Sequence, residues 1–197
     1  MRSELMENHK MATLTRLAAL ASIAAPGAAL AHTGIGSVHG FSAGLLHPLG
    51  GFDHVLAMVA IGLWAGASGG AMRWALPTAF LVGMAGGGLL GMAGLGMPMV
   101  EAGILASLIV LGALVASGVR ASALVALPMA LLFGSLHGHS HGSEGMVSMG
   151  YAAGFMLATA AMHGLGLALT QGAGTRAVRL AGGATVCAGL ALLLAGG

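Results

Sequence analysis

Charge is what this chain has least of. Of its 197 residues, 6% are Asp, Glu, Lys or Arg, where an ordinary soluble domain has roughly 25%. So few charges cannot clothe a water-facing surface, and with 57% hydrophobic residues a soluble globular fold is excluded; a chain whose main solvent is lipid has no such surface to cover. Cysteine is nearly absent. Cys187 alone excludes an internal disulfide framework and any zinc-finger or iron–sulfur site built from several thiolates. Lysine stops at Lys10, which removes Schiff-base and ammonium chemistry from the rest of the chain. No HExxH or GxxxxGK[ST] run occurs, so the zincin and P-loop ATPase signatures are missing. The formal net charge of +2 comes from few scattered groups and not from a basic face, so nucleic-acid binding has no support.

What the chain does have is apolar length. Residues 1–31 read as a cleaved secretory signal peptide: Lys10 and Arg16 precede an apolar stretch from Leu17 to Ala25, then Pro26-Gly27 and the small-x-small run Ala29-Leu30-Ala31. Glu4 and Glu7 are unusual there and point to Met11 as an alternative start; an uncleaved first helix is the rival reading. Residues 32–197 form the expected mature domain. They divide into apolar stretches at Gly44 to Gly66, Met72 to Gly91, Met99 to Ser117, Ser122 to His141, Val147 to Leu169 and Val178 to Ala195, each near the roughly 20 residues that cross a bilayer. The expected fold is all-α: a polytopic membrane protein, a bundle of six transmembrane helices. Arg73, Arg120, Arg176 and Arg179 fall in the loops after the first, third and fifth stretches. Basic loops stay cytoplasmic, so both mature termini are expected on the periplasmic side of a bacterial inner membrane. The 36 glycines include GxxxG spacings at Gly62/Gly66, Gly83/Gly87/Gly91, Gly134/Gly138/Gly142 and Gly150/Gly154, which suit close helix packing in lipid without naming a dimer face.

Nine histidines outnumber every other ionisable type, and ionisable groups inside a span are costly enough to be functional candidates. The first span carries His47-Pro48-Leu49-Gly50-Gly51-Phe52-Asp53-His54. On a regular helix His47 and His54 lie nearly on one face, about 10 Å apart; Pro48 and the glycine pair predict a kink that draws them closer. The fourth span ends in His137-Gly138-His139-Ser140-His141-Gly142-Ser143-Glu144. His137 and His141, at i and i+4, share a face about 6 Å apart, within reach of one metal ion. His139 points elsewhere, and Glu144 stands at the mouth as a cation trap or a plain loop residue. The topology puts both clusters in the outer half of the membrane. His163, in the fifth span, is either an inner relay or a structural hydrogen-bonding group. Glu101 is either a ligand or an interface anchor. His32, the expected mature terminus, would offer amine, amide and imidazole together, with His39 nearby. Imidazole with a few carboxylates suits nickel, cobalt, zinc or copper(II) and not magnesium or calcium, while the scattered methionines read as core filler.

These motifs resemble the HupE/UreJ family of nickel and cobalt permeases. The likeness lies in His32-Thr33-Gly34, in the HPxxGxDH motif from His47 to His54, and in FHGxAHGxE, of which His137, Gly138, His141, Gly142 and Glu144 are kept while Leu136 and Ser140 replace its phenylalanine and alanine. The stretch from Tyr151 to His163 is similar to the family's fifth span. The resemblance implies uptake of Ni²⁺ or Co²⁺ for hydrogenase, urease or cobalamin synthesis, with no tightly bound cofactor and no catalysis. The implied metal-handling set is His47, Asp53, His54, His137, His141, His163, His32 and Glu144. An intramembrane zinc hydrolase using the same histidines and a bis-histidine haem carrier are the competing classes. Homo-oligomer formation, the metal preferred and the energy coupling stay open.

Overall fold

The computed structural model describes residues 40–144 and 148–195; the expected signal peptide, His32 and His39 lie outside them. The described residues form helices and no strand. A short helix α1 (Phe41–Leu46) leads into a 3₁₀ turn (His47–Gly50), followed by α2 (Phe52–Ser68), α3 (Met72–Met92), α4 (Val100–Ser117), α5 (Ala123–Ser143), α6 (Met149–Gly172) and α7 (Thr175–Leu194). The helices α3 to α7 are long and apolar enough to cross a membrane by themselves. The protein is a multi-pass membrane protein.

The first span differs from the continuous helix expected from Gly44 to Gly66. Its two parts, Phe41–Gly50 and Phe52–Ser68, meet at 91°. Pro48 sits in the first positions of the 3₁₀ turn, where its fixed φ is tolerated. Gly51 takes an extended conformation that ends the turn and starts α2. The anticipated kink is therefore a full corner, and α1 packs on the first turns of α6: a Cβ on Gly44 would meet the carbonyl of Tyr151, and one on Gly154 the carbonyl of Phe41.

Glycine decides which helices pair. Along α3, added Cβ atoms on Gly83, Gly87 and Gly91 would strike the backbone of Leu131, Ser135 and His139. On the facing side Gly134, Gly138 and Gly142 are pressed on the carbonyls of Phe80, Met84 and Gly88. Two GxxxG runs thus interlock, holding the parallel helices α3 and α5 backbone to backbone, the close approach that small residues permit in lipid. Gly62 and Gly166 do the same for α2 and α6, and Gly112 and Gly182 for the antiparallel pair α4 and α7.

The helix α2 touches α3, α4, α6 and α7. Past its first turn it is apolar on every face, as a helix enclosed by others should be, and Ala57, Met58, Ile61, Trp64 and Ala65 are completely or almost completely buried. Helix direction alternates, so one end of the bundle gathers the start of α2, the end of α5 and Glu144. The opposite end gathers the exposed Arg73, Arg120, Arg176 and Arg179. The charge pattern along the sequence is thereby kept in space.

Candidate metal site

The corner at Gly51 sets the site. It leaves His47 on the turn and places Asp53 and His54 in the first turn of α2, where a carboxylate is favoured by the positive end of the helix dipole. The last two turns of α5 bring His137 and His141 to the same depth. The His47 Nε2 and His141 Nδ1 atoms are 3.2 Å apart. The His54 ring centroid lies 4.5 Å from that of His141 and 4.9 Å from that of His137. Both motifs, about 90 residues apart in sequence, face each other inside the bundle, which is the encounter the topology predicts.

Hydrogen bonds fix how these rings present their lone pairs. His54 Nδ1 lies 2.9 Å from Asp53 Oδ1; a carboxylate oxygen accepts, so Nδ1 carries the proton and Nε2 is left as a donor atom for a metal. His137 is completely buried. Its Nε2 is 3.1 Å from Ser107 Oγ, whose own proton goes to the carbonyl of Ile104 at 2.6 Å. The hydroxyl must then accept from His137 Nε2–H, which leaves the lone pair on Nδ1. His54 Nε2, His137 Nδ1 and His141 Nε2 are all buried without a hydrogen-bond partner among the described residues. Each such group costs about 1–3 kcal/mol, a cost that metal coordination would repay.

The ring of His141 divides the site in two. On its Nδ1 side stand His47 and Glu144, whose Oε2 is 3.7 Å away; one ligand atom from each of His47, His141 and Glu144 fits within 4.8 Å of the others, a grouping able to hold a metal ion. The His54 ring also packs on His141, and His137 packs on His54. Phe155, with its ring centroid 4.5 Å from that of His141, and Tyr151, 5.6 Å from that of His47, wall the first side.

Other candidates stand apart from this cluster. His139 Nε2 donates to the carbonyl of Leu95 at 2.8 Å, fastening the loop after α3, on a different face from His137 as its position on the helix requires. Glu101 is exposed and accepts from Ser140 Oγ at 3.3 Å, so the serine that replaces the motif's alanine ties α5 to α4. His163 is nine residues from the end of α6, about 14 Å at the helical rise, because the helix continues past Leu169 to Gly172. It is 2% exposed, and the Phe80 ring touches both it and His137. Ser107 is the residue that sequence reasoning missed. Its only signal is a hydroxyl in the otherwise apolar middle of α4.

A bundle of apolar helices that brings four imidazoles together, those of His47, His54, His137 and His141, belongs to the class of polytopic membrane proteins with a nitrogen-rich interior site. The profile of the HupE / UreJ protein family matches residues 19–192, and Protein HupE of Rhizobium leguminosarum bv. viciae is 45% identical over 183 residues, covering 89% of this chain and 95% of that protein. The chain belongs to the HupE/UreJ family. No solved structure matches it.

Proposed function

We propose that the protein carries Ni²⁺ or Co²⁺ across the bacterial inner membrane, from the Glu144 end to the arginine end, supplying hydrogenase, urease or cobalamin synthesis. The observation that carries this reading is the meeting of imidazoles from α2, the 3₁₀ turn and α5, with ring centroids 4.5 to 4.9 Å apart. The ion first meets His47, His141 Nδ1 and Glu144, with His32 and His39 as earlier contacts on the mature amino terminus. It sheds water there and passes around the His141 ring to His54 Nε2, His137 Nδ1 and His141 Nε2. Asp53 and Ser107 hold the two inner rings, and His163 receives the ion beyond them. Neutral imidazoles select a borderline transition metal over magnesium or calcium. Several ligands shared between adjacent positions let the ion bind and still leave, which conduction requires.

Protonation removes the lone pairs, so uptake falls as the pH on the Glu144 side is lowered. Positive-inside placement of Arg73, Arg120, Arg176 and Arg179 supports a periplasmic Glu144 end. The decisive experiment is flux of Ni²⁺, Co²⁺ and Zn²⁺ into proteoliposomes bearing the parent protein, His54→Ala or His141→Ala. Both variants should lose uptake; unchanged flux in both removes the proposed site. Tight stoichiometric zinc with no flux would instead favour the intramembrane hydrolase, and a Soret band the haem carrier.

A further inference from the structure

Near their arginine ends α3 and α6 do not close on each other. A hollow of about 220 Å³ lies between them, lined by Trp74, Pro77 and Leu81 on one side and by Ala160, Gly164 and Leu167 on the other. These residues recur at intervals of three or four, one stripe on each helix, so the hollow runs along α3 for about 10 Å. Its width has a local cause. Gly164 has no side chain and nothing within 4 Å of its Cβ position, Ala160 adds one methyl group, and across from them stands the rigid ring of Pro77 within α3. His163 borders the hollow, but both of its ring nitrogens are buried. Apart from the Thr78 hydroxyl, the lining offers carbon.

We propose that this hollow seats an acyl chain of an anionic phospholipid from the leaflet on the arginine side, with the lipid phosphate held by Arg73. Two independent features support it. The first is the lining: an apolar cavity of roughly 150 Å³ stays dry and takes up benzene, and this hollow lies along two membrane-spanning helices, where hydrocarbon is the solvent. The second is charge. The hollow begins one residue past the exposed Arg73, at the very start of α3. Trp74 beside it is 68% exposed, as befits the aromatic belt at a membrane surface. Among the described residues the acidic side chains are Asp53, Glu101 and Glu144, all at the opposite end of the bundle. The counter-charge of Arg73 must therefore come from outside the chain, and basic pockets between helices on the cytoplasmic side are places where anionic headgroups bind.

The test reads Trp74 directly. A brominated acyl chain quenches tryptophan on contact, and the other tryptophan, Trp64, is 1% exposed, so quenching by lipid reports the hollow. The full chain is placed in dioleoylphosphatidylcholine vesicles in which the minor lipid is either brominated phosphatidylglycerol or brominated phosphatidylcholine. The parent should favour phosphatidylglycerol by about fivefold, the factor that one arginine near an anionic group contributes, and by less in high salt. Arg73→Gln should bring the two lipids close to parity. Gly164→Leu, which puts a side chain into open space, should fill the hollow and abolish the preference, whereas Gly86→Leu, equally open but in the other half of α3, should keep it. Either of the first two variants suffices should the other fail to fold. Equal quenching in the parent overturns the site, and so does a preference that survives Arg73→Gln or Gly164→Leu. Quenching by neither lipid would mean that a second copy of the chain or its amino-terminal segment covers Trp74, and would overturn it as well. No ion flux enters the readout, so the outcome is independent of the uptake reading above.

Discussion

Toward Glu144 the bundle gathers His47, Asp53, His54, His137 and His141 within ring-contact distances, whereas toward its arginines it buries one imidazole, His163, beside a cavity of about 220 Å³. The two ends use the same chemical group in opposite amounts. Stripping water from a divalent cation needs several ligands that replace its hydration together, while releasing it needs few. The packing follows the same division. In the last two turns of α5, which carry His137 and His141, Gly138 and Gly142 press on α3, so these rings are carried on a backbone held close to its neighbour. Near His163, Gly164 has nothing within 4 Å of its Cβ position.

The largest break in this contrast should come from His141→Ala, which removes the ring shared by both halves of the rich site. Uptake is expected to fall by about 100-fold or more, at or beyond the upper end of losses seen when groups supporting a metal site are removed. His163→Ala should cost only a few-fold in the same flux assay. Equal losses would mean that the sparse end grips as firmly as the rich one. Next comes the backbone contact. Gly138→Ala places a Cβ on the carbonyl of Met84, whereas Gly86→Ala meets nothing within 4 Å. The first should destabilise by about 1–3 kcal/mol or more, as overpacked sites do, and the second should be neutral or better. Thermal unfolding of both in the same detergent checks the pair.

Smaller effects belong to the residues that hold the His54 and His137 rings. Asp53→Asn keeps an acceptor oxygen for His54 but loses its charge, and Ser107→Ala leaves His137 Nε2–H buried without its acceptor. Each should weaken metal binding by about tenfold, read by titration of Ni²⁺ or Co²⁺ into purified protein, with the fold intact. A Ser107→Thr variant, retaining the hydroxyl, should recover most of the loss.

How far the sequence discloses this arrangement depends on the range of the interaction. The i, i+4 pair His137 and His141 follows from helical period alone, and the shared depth of the two clusters follows from the alternation of arginines. The corner at Gly51 is only half legible: Pro48 and the glycines forbid a regular helix but do not fix 91°, because the angle depends on α1 finding the first turns of α6. The partner of each GxxxG run is not legible either, since one glycine spacing resembles another until α3 and α5 are in contact. Ser107 and Phe80 escape for a different reason. A hydroxyl can satisfy itself on its own helix, as Ser107 does with Ile104, and a phenylalanine is unremarked in an apolar span. Only the histidine that each one faces gives it meaning.

The smallest effect expected is that of His139→Ala, and it sharpens the comparison within the histidine run of α5 itself. His139 lies between His137 and His141 and is equally buried with the latter, so proximity in sequence and burial alone would place it in the site. Its Nε2 instead donates to the Leu95 carbonyl, and no ring contact joins it to His47, His54, His137 or His141. Removing it forfeits one neutral hydrogen bond, about 1 kcal/mol, and loosens the loop between α3 and α4 without subtracting a ligand. Uptake should stay within about twofold of the parent, since a loss of this size in stability leaves the folded population nearly full, while unfolding shifts slightly. A collapse of uptake as deep as that of His141→Ala would extend the rich site around the helix to the Leu95 loop, and the line drawn here between ligand and tether would have to move.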